Sequence, residues 1–169
     1  MKLRSLISPV VAVSLFLSSC GNYVNIDTSG STAVSLSEDG LLKIHVNTCK
    51  YSINRVDIYG SRRPDMPAAE KNPILATYET PTPQQGIMTL PTADQSPWRE
   101  TAPFNAPKDD LTQMTVIASP VRASQNPFRK EAHIGETSFT IEQLKFLSTG
   151  NVWGPKGEIS QKEFNEQCN

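Results

Sequence analysis

The fold is decided by Ala33–Asn47, the stretch AVSLSEDGLLKIHVN. Apolar and polar residues alternate on both sides of Asp39-Gly40, and Asp-Gly is one of the strongest signals for a tight hairpin turn. From Leu42 to Val46 every second residue is apolar, which is the period of a strand with one buried face. The stretch therefore predicts an antiparallel β-hairpin. His45 falls on its polar face and is predicted to be solvated.

Further strand signals follow along the chain. Ile53–Tyr59 is rich in β-branched and aromatic residues, and we expect it to pair with the hairpin in an antiparallel meander. Additional strands are predicted at residues 74–79, 86–90, 112–119 and 137–141. These segments predict an all-β protein, an antiparallel β-sandwich of immunoglobulin-like or transthyretin-like type. A mixed α+β arrangement is the alternative.

Two short helices complete the predicted fold. Residues 142–147 carry apolar positions at helical spacing. Ser160 and Glu163 match a capping box, in which the first residue caps the helix and the second reaches back to it. This predicts a C-terminal helix at residues 160–168 that buries Phe164.

Prolines are concentrated in the middle of the chain, with 11 of the 13 between Pro64 and Pro127. Proline removes a backbone donor and interrupts interior strands, so we expect short strands and long loops there. Residues 91–111 are predicted to be one long loop. Its Trp98 and Phe104, with Trp153 in a glycine-rich turn, are candidates for a binding surface, because aromatic residues often anchor interfaces. The alternative is that these side chains fold back onto the core.

The N-terminus has the organisation of an export signal. Lys2 and Arg4 precede an apolar run of roughly a dozen residues, shorter than the ~20 that span a bilayer. Leu17-Ser18-Ser19-Cys20 then resembles the bacterial lipobox. The resemblance implies cleavage before Cys20 and a diacylglyceryl thioether on its sulfur. A plain secreted protein with a chance cysteine at this place is the alternative.

This resemblance divides the chain into a signal peptide (residues 1–19), a lipidated flexible tether (20–32) and a β-sandwich domain (33–169). It implies a protein held by membrane lipid at the extracytoplasmic face of the cell membrane. In a Gram-negative organism, Gly21 in place of aspartate would imply the outer membrane.

With Cys20 assigned to lipid, Cys49 and Cys168 are left as a pair. In an exported protein such a pair predicts a disulfide. A metal pair or a redox pair is the alternative, although there is no C-x-x-C motif and neither cysteine has a histidine beside it in the sequence.

The sequence carries no recognisable catalytic or cofactor-binding motif. It lacks G-x-S-x-G, a phosphate-binding glycine loop, H-E-x-x-H and a calcium-loop pattern. Asp109-Asp110 and His133 are predicted to be solvated loop or strand-edge residues. Loss of Lys2 and Arg4 leaves 14 of the 16 basic residues against 17 acidic ones, a net charge of −3, which does not favour a nucleic-acid partner. We therefore expect no enzyme activity, no cofactor and no metal.

The mature domain resembles small, mostly uncharacterised β-rich lipoproteins of actinobacteria. The resemblance rests on Gly40–Val46, on Cys49, on the alternation of Val56 and Ile58, and on the phenylalanine-bearing helix before Cys168. It implies no particular activity. The leading hypothesis is a membrane-anchored binding or interaction module for an envelope protein or an extracellular ligand. The alternatives are a structural subunit of an envelope or secretion assembly and, less favoured, an envelope hydrolase.

Overall fold

The computed structural model describes residues 26–62, 66–67, 69–91, 97–121 and 131–168. Cys20 and the rest of the predicted export signal lie outside the described residues. The elements in the described ranges are eleven strands and two short helices. The strands are β1 (Ile26–Leu36), β2 (Leu42–Asn47), β3 (Ile53–Gly60), β4 (Ile74–Gln84), β5 (Ile87–Leu90), β6 (Arg99–Ala102), β7 (Met114–Pro120), β8 (Glu131–Gly135), β9 (Thr137–Phe139), β10 (Asn151–Gly154) and β11 (Gly157–Ser160). The helices are α1 (Ile141–Lys145) and α2 (Gln161–Glu166).

The strands form two sheets that pack face to face as a sandwich. The first sheet has the order β11-β10-β1-β2-β5, with β8 added alongside β1, and the second has the order β6-β4-β3-β7-β9. All strand pairs are antiparallel except β1 with β8, which is parallel. The predicted all-β antiparallel sandwich with a short C-terminal helix is confirmed.

The core lies between the sheets and is built from the apolar positions of the alternating strands. Val34, Ile44 and Val46 from the first sheet and Val56 and Ile58 from the second are fully buried in it. A smaller cluster lies on the outer face of the first sheet, where Ala33, Val152 and Phe164 pack together. Phe164 belongs to α2, so the C-terminal helix covers this outer face, and its predicted burial is confirmed.

The predicted three-strand meander is wrong. The β1–β2 hairpin is present, with Leu36 opposite Leu42, but the next neighbour of β2 is β5 rather than β3. The chain crosses from the first sheet to the second between Asn47 and Ile53. An alternating pattern specifies that a strand has one buried face. It does not show whether the next strand pairs with the hairpin in the same sheet or lies in the facing sheet, because both arrangements bury the same residues.

Residues 26–32, predicted to be flexible tether, belong to β1, so the folded part begins earlier than expected. This Ser/Thr/Gly-rich half of β1 pairs with β8, with Ile26 opposite Glu131 and Thr28 opposite His133. A bulge follows at Gly30, which has a φ of 88°. A Cβ at Gly30 would lie 2.2 Å from the backbone oxygen of Asn47, so only glycine fits there.

Three further strands fall in segments predicted to be loop or turn. β6 lies within residues 91–111, and the hairpin of β10 and β11 occupies the glycine-rich region around Trp153. These strands are only four residues long. At that length an alternating pattern has too few repeats to be distinguished from a loop.

The sandwich has two distinct ends. β1 and β3 run from one end to the other, and β2, β4 and β7 return. One end, here called the disulfide end, carries the start of β1 and the loop at residues 48–52, which includes Cys49. The opposite end, here called the helix end, carries the β1–β2 turn and α1. Every exposed large apolar side chain of the described residues belongs to one of these two ends, as set out below.

Candidate functional site

The C-terminal helix is fixed to the outer face of the first sheet. Cys49 and Cys168 form the predicted disulfide, with their Cα atoms 5.3 Å apart and 119 residues apart in sequence. Ser160 caps the start of α2 by accepting a hydrogen bond from the backbone N–H of Glu163 at 3.1 Å. α2 therefore runs along the first sheet from the helix end of the sandwich to the disulfide end.

The side chain of Asn47 forms hydrogen bonds with the last turn of α2. Its side-chain amide nitrogen donates to the backbone oxygens of Phe164 and Asn165, both at 3.2 Å. Its amide oxygen accepts from the backbone N–H of Cys49 at 3.3 Å. The last carbonyls of a helix have no partner within the helix, so a buried amide donor at this place satisfies them. Asn47 is only 2% exposed, which makes this a specific structural contact.

The prediction that His45 is solvated is wrong. The side chain is only 8% exposed, because α2 covers the polar face of β2 and places Phe164 against the imidazole, with ring centroids 6.3 Å apart. The two ring nitrogens lie 2.9 Å from Ser35 Oγ and 3.1 Å from Thr89 Oγ1. Burial, with a smaller contribution from the charge of Lys43, lowers the pKa of His45 to about 4. His45 is therefore neutral near pH 7 and acts as a structural element under the helix.

The three aromatic residues proposed as a binding surface all pack against the core. Trp98 is 9% exposed and belongs to the core, so it folds back rather than projecting from a loop. Phe104 and Trp153 are partly buried and pack against the same core. Trp153 also donates its indole N–H to the backbone oxygen of Ser138 at 3.0 Å. The alternative interpretation, in which these side chains close the core, describes their environment.

A charged cluster occupies the outer face of the second sheet. Arg55 donates from Nε to Asp57 at 2.7 Å and from a terminal nitrogen to Glu79 at 2.9 Å. Asp57 is 3% exposed and also accepts from the hydroxyl of Thr77 at 2.7 Å. The carboxylate of Asp57 raises the pKa of Arg55. An open groove of about 620 Å³ lies beside the cluster and is also lined by Arg99.

The chemistry of this groove is that of a compensated ion-pair network. Arg55 is flanked by two carboxylates, so its charge is already neutralised and is not available to attract an anion. Arg99 lies opposite Glu79 in the register of β4 and β6, and its guanidinium has no ionic partner among the described residues. His133 is on the edge of the first sheet in β8, 3.2 Å from Glu136. Neither the groove beside Arg55 nor the His133–Glu136 pair brings together a nucleophile and a base.

The helix end carries the most exposed apolar side chains of the described residues. The three highest exposures are those of Phe146 at 78%, Leu111 at 64% and Leu41 at 60%, and Ile74, at 49%, lies at the same end. Each lies where a strand or helix reaches this end. Exposed apolar side chains that lie close together mark interaction sites, whereas single exposed residues are ordinary.

Contacts of Asp110 bring Phe146 and Leu111 to the same part of the helix end. The backbone oxygen of Asp110 accepts from the N–H of Glu142, and its carboxylate pairs with Lys145. Leu111 and Phe146 each follow one member of this ion pair in sequence. Sequence reasoning missed Phe146, although a signal was present. Ile141, Leu144 and Leu147 are spaced by three toward the core, which leaves Phe146 on the other side.

Scans against protein-family models, curated proteins and solved structures find no match to this chain. Neither α1 nor α2 has the length and apolar character to cross a bilayer. Within the described ranges, no group of three or more His, Cys, Asp or Glu side chains is arranged to hold a metal ion. The helix end is therefore the surface on which a functional proposal rests.

Proposed function

We propose that this protein is a lipid-anchored, non-enzymatic interaction module of the cell envelope, which presents its helix end to a protein partner. The observation that carries the proposal is the position of the two ends. β1 begins at Ile26, six residues after the lipobox cysteine Cys20, and it begins at the disulfide end. An anchor at Cys20 then leaves the exposed apolar side chains of the helix end on the far side of the sandwich.

The lipid anchor is tested by metabolic labelling with a fatty-acid probe. The wild-type protein is expected to be labelled and to remain with membranes, since several acyl chains give stable retention. The Cys20→Ala variant removes the sulfur that would carry the diacylglyceryl group and is expected to lose the label. Equal labelling of the two proteins would disprove the anchor.

The partner surface is tested by photo-crosslinking in intact cells of the producing organism. Benzoylphenylalanine in place of Phe146 keeps the phenyl ring, adds a photoreactive benzoyl group, and is expected to give a discrete protein adduct. Leu111→Ser in the same chain should weaken that adduct, because it removes apolar surface from the same end. Benzoylphenylalanine in place of Thr115, partly exposed on the outer face of the second sheet beside Ser138, is the matched control and should give none.

Loss of every adduct at position 146, with the anchor intact, would refute the assignment of the helix end. A structural subunit of an envelope assembly is the second candidate, and the same apolar end favours it, because permanent contacts bury more apolar surface than transient ones. It predicts a complex of fixed stoichiometry that co-purifies in detergent without crosslinking. A recruitment module predicts an adduct that depends on the abundance of its partner.

A further inference from the structure

Three exposed apolar side chains come from segments that are hydrogen-bonded to the disulfide loop, defined here as residues 48–52. They are Ile26, 55% exposed, Ile87, 53% exposed, and Val121, 39% exposed. They come from β1, β5 and the residue after β7, so they are far apart in sequence. Together they form the second group of exposed large apolar side chains in the described part of the chain.

Hydrogen bonds to the disulfide loop hold these three positions around it. Each position either bonds to the loop itself or adjoins a residue that does. The bonds are Tyr51 Oη to Asp27 O at 3.1 Å, Thr48 N to Gly86 O at 3.1 Å, and Val121 N to Ser52 O at 2.8 Å. These bonds therefore place the three positions at the disulfide end, which is also the end from which the chain leads back to Cys20.

The length of that connection limits where this surface lies. Cys20 and Ile26 are six residues apart, and an extended chain rises at most ~3.6 Å per residue, so they are separated by no more than roughly 20 Å. An acylated Cys20 has its sulfur at the level of the lipid headgroups. The disulfide end is thus confined to the immediate neighbourhood of the bilayer, within reach of contact.

We propose that the disulfide end rests on the lipid surface, with Ile26, Ile87 and Val121 in the headgroup region. This inference depends on the lipid anchor of the proposed function. Half-exposed aliphatic side chains on a tethered surface gain free energy when they leave water for the interface. The tether removes most of the entropic cost of reaching the membrane, so a small apolar surface suffices.

The charges of this end are consistent with apolar contact. Lys50, at the centre of the disulfide loop, is 57% exposed and forms an ion pair with Asp27 at 2.9 Å. Since the cation is already paired, attraction to anionic lipid is not the basis of the contact. Vesicles of phosphatidylcholine alone are therefore expected to support it as well as vesicles that also contain phosphatidylglycerol.

Resting on this end fixes the direction in which the partner surface points. β1 extends from Ile26 at the disulfide end to Leu36 near the helix end, and strands rise about 3.4 Å per residue, so the two ends are roughly 30 Å apart. Phe146 and Leu111 would be held at that height above the lipid. A defined height favours partners that reach down to the membrane or are themselves of similar height.

The test places a tryptophan at each end of the full lipidated protein. Ile87→Trp and Val121→Trp report on the disulfide end, and Phe146→Trp is the control at the helix end. All three positions are exposed, so the fold should tolerate the larger ring. Ile26 is not used, because its proximity to Cys20 would bring it near lipid in any orientation. Emission of each variant minus that of the wild type isolates the new indole from Trp98 and Trp153.

On phosphatidylcholine vesicles containing a lipid-phase quencher, the indoles at 87 and 121 are expected to shift to the blue and to lose roughly half of their emission, since they lie near the boundary between headgroups and acyl chains. The indole at 146 should be unchanged. Flotation of the vesicles with bound protein reports the anchor separately.

The outcomes separate the two proposals. Protein that floats but shows no quenching at 87 and 121 overturns the membrane contact and leaves the anchor intact. Protein that does not float overturns the anchor, and the contact with it. A blue shift at 87 that occurs without vesicles and grows with protein concentration assigns this surface to a second copy of the chain, and also overturns the contact.

Discussion

The buried His45 predicts a loss of stability in mild acid that has a defined size. In the folded protein its pKa is about 4, while in the unfolded chain it returns to 6.5. The unfolded state therefore binds more protons between these values, and the free energy of unfolding falls as the pH falls. The contribution is complete above pH 6.5 and is lost progressively toward pH 4.

The size of the effect follows from the two pKa values. Integrating the linkage relation from pH 7.5 to pH 5 gives a loss of about 2 kcal/mol from this single group, and about 3 kcal/mol when the pH reaches 4. The physical cause is that an imidazolium under α2 would lose its hydration without gaining a carboxylate partner. The two hydrogen-bonding groups that face the ring, on Ser35 and Thr89, are hydroxyls, and the nearby charge is that of Lys43.

The assay is urea unfolding of the mature chain carrying Cys20→Ser, followed by circular dichroism at pH 7.5 and pH 5. The His45→Gln variant lacks the titrating group. Its free energy of unfolding should therefore fall between pH 7.5 and pH 5 by about 2 kcal/mol less than that of the wild type. Carboxylates titrate in both proteins and cancel in this difference. Lys43→Gln removes the second cause and should reduce the acid loss slightly.

His133→Gln is the matched control, because it removes the other histidine, whose side chain is 41% exposed. It is expected to keep the acid loss that is due to His45. The reasoning would be refuted by equal acid losses in the wild type and the His45→Gln variant. An acid loss that disappears in His133→Gln would place its origin in β8 instead.

Three further predictions concern the attachment of α2. Replacing Cys49 and Cys168 by serine opens a loop of 119 residues and is expected to lower the free energy of unfolding by about 5 kcal/mol, measured by urea unfolding against the oxidised wild type. Asn47→Asp puts a carboxylate against two helix carbonyls in place of a donor; a cost of about 2–3 kcal/mol is expected, and an unchanged unfolding midpoint would contradict the capping role. Phe164→Ala should cost about 3–5 kcal/mol because the ring is fully buried, whereas Phe146→Ala should change stability by less than about 0.5 kcal/mol, and the two midpoints measured side by side test this contrast.

The features that the sequence predicted correctly are those set by local chemistry. The Asp39-Gly40 turn and its two alternating strands form the hairpin, and Ser160 begins the helix that buries Phe164. The disulfide followed from counting cysteines in a chain predicted to be exported. In each case a few neighbouring residues, or a simple count, contained the information.

The features that it missed depend on contacts between distant segments. His45 occupies a polar position in the alternating pattern of its strand, which predicts a solvated side chain. It is buried because α2, more than a hundred residues later in the sequence, packs over it. The first half of β1 has the composition of a linker, and it becomes a strand because β8 pairs with it. Trp98 looked like a loop anchor because β6, which positions it against the core, is too short to be predicted.

The position of β1 determines how an anchor at Cys20 would be connected to the fold. β1 is the strand that continues directly from the proposed tether, and it pairs with β2, β8 and β10, more neighbours than any other strand of its sheet in the described ranges. A pull on an anchor at Cys20 would act along β1 and would have to shear several ladders of hydrogen bonds at once. Because the disulfide loop is bonded to Asp27 at the start of this strand, the same pull is shared with α2 through Cys49 and Cys168. An anchor attached at this point would therefore load the most extensively paired part of the sandwich.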